Sequence, residues 1–169
     1  MLGAEDHLRL LCQHVLRHGA WRPGWLADVG AALEVRPENF DWGYCLSGDP
    51  RRSEWVRCAL ELAQRLLGAS LPPELECGAS RLPGWLAPTI WAEWGRPEGH
   101  RSPAPLDIVW RRPGSRQIIA ELRCRWPNPI VATVFCHAAF SPGPRLPLQV
   151  ANYLASAGLA ALGRTPSQS

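Results

Sequence analysis

The chain has 169 residues, 46% of them apolar and 20% charged, enough to bury the core of one domain and to exclude wholesale disorder. Its 15 glycines and 17 prolines lead one to expect several ordered turns rather than long uninterrupted elements, and the glycines' lack of a three-residue period excludes collagen. The formal charge of +3 rests on 18 arginines and no lysine, which fits a GC-rich coding sequence as well as selection for phosphate contact.

Residues 1–100 hold 10 Arg against 13 acids, whereas residues 101–169 hold 8 Arg against Asp107 and Glu121. No apolar run approaches the roughly 18 residues of a membrane span. Glu5 and Asp6 stand where a signal peptide would carry basic residues. The expectation is a soluble, cytoplasmic chain with no membrane partner. Cys12, Cys45, Cys58, Cys77, Cys124 and Cys136 form no C-x-x-C pair, so reduced, partly buried thiols are expected.

From Glu5 to about His18, the residues Leu8, Leu11, Cys12 and Val15 share a helical stripe, with acids in the first turn and Arg17 and His18 in the last. Gly19 is a C′ stop. A second helix carries Trp25, Leu26, Val29, Ala32 and Leu33 to about Glu34, completing a helical hairpin. Asp41-Trp42 caps a short third helix through Leu46. Asp49-Pro50 opens a fourth, with an apolar line of Val56, Ala59, Leu60, Ala63, Leu66 and Leu67 and with Gly68 at its end.

Beyond Leu71-Pro72-Pro73 the chain reads as irregular until a short helix around Trp85 to Trp94, ended by Gly95 and Pro97. Arg96 to Pro105 reads as a loop, Leu106 to Trp110 is too short to assign, and Ser115 to Arg125 has helical spacing. Pro127 and Pro129 bias their predecessors away from helix. Val131 to Phe135 suits strand or helix, and a final helix spans about Leu146 to Leu162. The fold class is therefore mostly α: a helical hairpin plus packed helices, with a less regular Pro/Gly-rich C-terminal half. Residues 1–72 form a helical region, 73–162 continue the same domain, and 163–169 are a disordered tail.

His7, His14 and His18 fall within about 40° of one another on a helical wheel. The spacing of four between His14 and His18 suits two imidazoles on one metal, and Asp28 on the facing helix offers a carboxylate. These residues are read as a polar border of the core, hydrogen-bonded to one another, to Asp28 or to backbone carbonyls, with no metal assigned. Nine tryptophans suit either large-area packing with the indole N–H satisfied at the rim or an aromatic binding surface. Arg111, Arg112, Arg116, Arg123 and Arg125, between Trp110 and Trp126, form a basic face that suits solvent, nucleic acid or an acidic partner.

Phosphate-loop, dinucleotide, nucleophile-elbow and H-E-x-x-H motifs are absent. No D-x-D or D-x-E pair is present to hold two cations. Glu74 and Glu76 have the spacing but follow Pro72-Pro73 with no strand pattern, so they are not assigned to catalysis.

Glu5-Asp6-His7-Leu8, Cys12-Gln13-His14, Arg17-His18 and Trp25-Leu26-Ala27-Asp28-Val29 resemble the helical region of the uncharacterised nucleotidyltransferase family, E-D-x-L-x-x-L-C-x-H-x-x-K-H followed by W-L-x-D-[IV]. Asp41-Trp42 and the run from Ala59 to Pro72 resemble that family's D-W and A-L-x-L-A-x-x-L-L-G-x-x-L-P. Arg17 stands where the family has Lys, and Trp21 lies one residue later than its tryptophan. The resemblance implies ligand contacts at His14, Arg17, His18, Trp25 and Asp28. It also implies a catalytic core, with a Gly-Ser turn and paired aspartates, preceding this region. The chain thus resembles the C-terminal helical half, from a shortened gene, a downstream start or a separate subunit. Catalytically incomplete alone, it would bind no cofactor by itself, with Mg²⁺ and a nucleoside triphosphate implied only alongside the core. The alternative is an independent interaction module that uses the Arg111–Arg125 face.

Overall fold

The computed structural model describes residues 3–76, 82–95 and 126–161, with the side chains of 74, 76 and 159–161 left aside. Its secondary structure among these residues is helical, without strands. The first helix, α1 (Ala4–Arg17), buries Leu8, Cys12, Val15 and Leu16, with Leu11 packed at the margin. The second, α2 (Pro23–Glu34), buries Leu26, Val29, Gly30 and Leu33. Short α3 (Trp42–Cys45) leads to α4 (Pro50–Leu67), and α1, α2 and α4 pack against one another around Leu8, Leu16, Leu26, Leu33, Leu60 and Leu62.

Side-chain capping fixes where α3 and α4 begin. Asp41 accepts from the Tyr44 amide at 2.8 Å, and Asp49 accepts from the Arg52 amide at 2.8 Å ahead of Pro50 at N1. The Arg52 amide holds the exposed Asp49 carboxyl below its ordinary pKa.

The ends of α1 and α4 share a left-handed glycine. After α1, Gly19 takes φ +74°, its amide donates to the Leu16 carbonyl at 3.0 Å, and the Ala20 amide donates to the Val15 carbonyl at 2.8 Å. This pair of bonds is a Schellman motif, and Val15 with Ala20 supplies its apolar contact. Gly68 closes α4 in the same left-handed region, at φ +74°.

The fourth helix buries Val56, Ala59, Leu60 and Ala63 as the apolar line predicts, and adds Trp55, Cys58 and Leu62. Leu67 departs from that line and is 43% exposed. A second departure is α5 (Pro73–Glu76), a single turn where the composition suggests irregular chain; Pro73 suits its first position, and the Leu75 amide closes onto Pro72 at 2.9 Å. Next, α6 (Leu86–Trp94) ends at Gly95.

The ambiguity at Val131 to Phe135 resolves as helix. Although Pro127 and Pro129 suggest a non-helical stretch, Pro129 opens α7 (Pro129–Phe135), where Asn128 accepts from the Ile130 amide at 2.8 Å. The helix α7 packs on α1 and on the last helix, α8 (Leu146–Ala161).

Tryptophan N–H groups fasten segments distant in sequence to one another, which answers for several of the nine indoles. Trp94 donates to the Ala20 carbonyl at 2.8 Å, Trp55 to Ala138 at 3.1 Å and Trp85 to Ser141 at 2.9 Å. Glu54 accepts from the Phe140 amide at 3.1 Å, and Arg145 braces the same loop through the carbonyls of Ala139 and Ser141, both at 2.9 Å. Trp91 and Trp126 remain exposed.

Cys12, Cys45 and Cys58 are buried free thiols, and Cys136 is a half-buried one. Burial raises the thiol pKa at all three buried positions, to about 11 at Cys45, which keeps them protonated and unreactive. No helix among the described residues is long and apolar enough to cross a membrane.

Candidate functional site

The polar flank of α1 and the first two turns of α2 enclose a groove of about 480 Å³ lined by Leu10, Leu11, Gln13, His14, Arg17, His18, Trp25 and Asp28. Helical spacing accounts for the set, since residues three and four apart share a face. The short connection after Gly19 then turns α2 back along α1, so that Trp25 meets His14 and His18, and Asp28 follows one turn further on.

The His14 and His18 rings lie 4.5 Å apart between centroids. Trp25 meets His14 edge-on at 4.7 Å and His18 at 5.2 Å, while Trp21 backs Trp25 at 5.3 Å. The Arg22 guanidinium lies 4.4 Å from the Trp21 ring centre and 5.4 Å from that of Trp25, a cation–π arrangement. Partial burial, then the neighbouring His14, then Arg17 lower the His18 pKa from its ordinary 6.5.

His14→Ala should therefore raise the His18 pKa, measured from its imidazole resonances across pH. An unchanged or lower value would contradict the arrangement. The sign for stability follows from the unfolded chain binding this proton more readily than the folded one. The His18 contribution is complete above pH 6.5 and declines as pH falls toward the lowered folded value.

The five residues singled out by motif, His14, Arg17, His18, Trp25 and Asp28, all line this groove. His7 does not. Sequence reasoning missed Leu10 and Gln13 as lining residues, although Leu10 stands four before His14 and Gln13 four before Arg17. Among the described residues no group of three His, Cys, Asp or Glu side chains is placed to hold a metal ion, so Asp28 does not complete a three-ligand set with the imidazole pair.

Gln13, His14, Arg17, His18 and Asp28 make no side-chain hydrogen bond or ion pair with another described residue. Asp41, Asp49, Glu54, Asn128 and Arg145 are engaged in structure instead. A second groove of about 470 Å³ lies beside α4 and the 139–142 loop, and its Glu54 is committed to the Phe140 amide. The basic-face residues Arg111, Arg112, Arg116, Arg123 and Arg125 lie outside the described residues, as do Asp107, the 96–105 loop, the 115–125 segment and the tail.

Comparison of the chain with protein-family models, curated proteins and solved structures finds no match.

Proposed function

We propose that the chain is a cytoplasmic, helical accessory portion of a nucleotidyltransferase-type protein, catalytically incomplete alone, whose groove between α1 and α2 faces the acceptor or nucleotide. The supporting observation is the convergence of His14, Arg17, His18, Trp25 and Asp28, the residues singled out by the motif, on one groove whose polar side chains make no hydrogen bond or ion pair with another described residue. His14, Arg17 and Asp28 are exposed, so their polar atoms are open to a ligand. Two imidazoles, a guanidinium, an amide and a carboxylate are gathered around an aromatic wall, an arrangement suited to orienting a polar ligand.

Transfer itself needs charge stabilisation around the reacting phosphate, and the sequence offers no D-x-D pair for it. A core carrying that pair would supply the Mg²⁺ and the nucleoside triphosphate. The chain's part would be to hold a substrate beside it.

The test has two arms. The chain alone, incubated with labelled nucleoside triphosphates and Mg²⁺, should transfer nothing. Coexpressed with the coding sequence immediately upstream, it should support transfer that Arg17→Gln or Asp28→Asn diminishes. Transfer by the chain alone, or an upstream sequence without a Gly-Ser and Asp-x-Asp segment, would overturn the reading.

A further inference from the structure

The charges of the groove are laid out along its length. Arg17 and His18 stand at the hairpin end, next to the connection into α2. The His14–Trp25 contact marks the middle. Asp28 lies three residues past Trp25 on α2, about 4.5 Å further from the connection, toward Leu10 and Leu11. One end is therefore positive, the other carries a single carboxylate, and Trp25 with His14 against it forms the aromatic wall between them.

The permanent charges lining the groove cancel, Arg17 against Asp28, yet the two groups make no ion pair with each other. Partial burial and the neighbouring His14, 4.5 Å away, disfavour the charged form of His18, which limits the positive end. A nucleoside triphosphate, with about four negative charges, is badly matched to such a groove. A ligand with one anionic and one cationic group separated by an apolar body matches it at every point.

We propose that this groove binds a small zwitterion: a carboxylate or phosphoryl-type anion seated at Arg17 and the imidazole pair, an apolar body against Trp25, Leu10 and Leu11, and a primary ammonium paired with Asp28. This deepens the acceptor-facing reading above by naming the ligand class. Because binding is read on the chain alone, its failure is distinguishable from failure of the transfer test.

The experiment titrates the isotopically labelled chain and follows the Trp25 indole and the amides of residues 10–28. The probes are L-phenylalanine, its aminophosphonate analogue, phenethylamine and 3-phenylpropionate. At least one zwitterion should saturate and bind about fivefold tighter than either singly charged analogue, since each partly exposed pair contributes up to about 1 kcal/mol. The tighter of the two zwitterions identifies the anion.

Arg17→Gln should weaken the zwitterions and 3-phenylpropionate while sparing phenethylamine, and Asp28→Asn should do the converse. Both side chains are exposed, so the melting temperature should hold. Equal binding by singly charged analogues, uniform weakening by both variants, or no saturable shift from either zwitterion up to about 10 mM would overturn the proposal.

Discussion

Leu60→Asp should destabilise the chain by about 4 kcal/mol, enough to leave a domain of this size largely unfolded at moderate temperature. Leu60 is 1% exposed, in the face of α4 that packs on α1 and α2, and its neighbours there are apolar. An aspartate at this position loses the burial of the leucine side chain and leaves a carboxylate without a partner or water. Leu67→Asp on the same helix provides the control. At 43% exposure its carboxylate stays hydrated, and the cost should be below about 1 kcal/mol. Urea titration of both variants measures the contrast, and equal losses would place the two leucines in equivalent environments.

The two leucines also show what the sequence discloses about packing. Apolar spacing identified α1, α2 and α4, and the pairs Asp49-Pro50 and Gly19 marked their ends because capping is local chemistry. Spacing did not say that Leu67, at the last turn, escapes the core, because the neighbours that would cover it belong to other parts of the chain. The same limit applies at Pro129. A proline biases its predecessor away from helix, yet it also suits N1, and the choice turned on Asn128 accepting from the Ile130 amide.

The groove was partly legible. His14 and His18 are neighbours because they are four apart, and Asp28 faced them once the hairpin was recognised. Two properties were not legible. One is that the polar groups have no partners within the described fold, a fact that depends on every side chain around them. The other is the packing of Trp25 against both imidazoles, edge-on to His14 and tilted to His18, which depends on how closely α2 approaches α1. Indole anchors such as Trp94 on the Ala20 carbonyl join residues 74 apart, beyond any local pattern.

Gly19→Ala should cost about 2–3 kcal/mol, more than an exposed glycine at a helix end would. Two effects add. At φ +74° a Cβ meets the steric penalty of the left-handed region, about 1–2 kcal/mol. That Cβ would also lie 3.0 Å from Asn128 Cγ and 3.0 Å from Val131 Cγ2, inside ordinary contact distance. The first effect is local to the hairpin, whereas the second couples it to the start of α7, so the two separate experimentally. Gly68→Ala, at the same φ but with open space around it, should show the backbone cost alone. Val131→Ala should recover part of the Gly19→Ala loss in a double-mutant cycle while leaving Gly68→Ala unaffected. Equal costs at positions 19 and 68, with no coupling to Val131, would mean that α7 does not press on the hairpin turn. The Asn128 amide contact with the Gly19 carbonyl at 3.4 Å would then be incidental to stability.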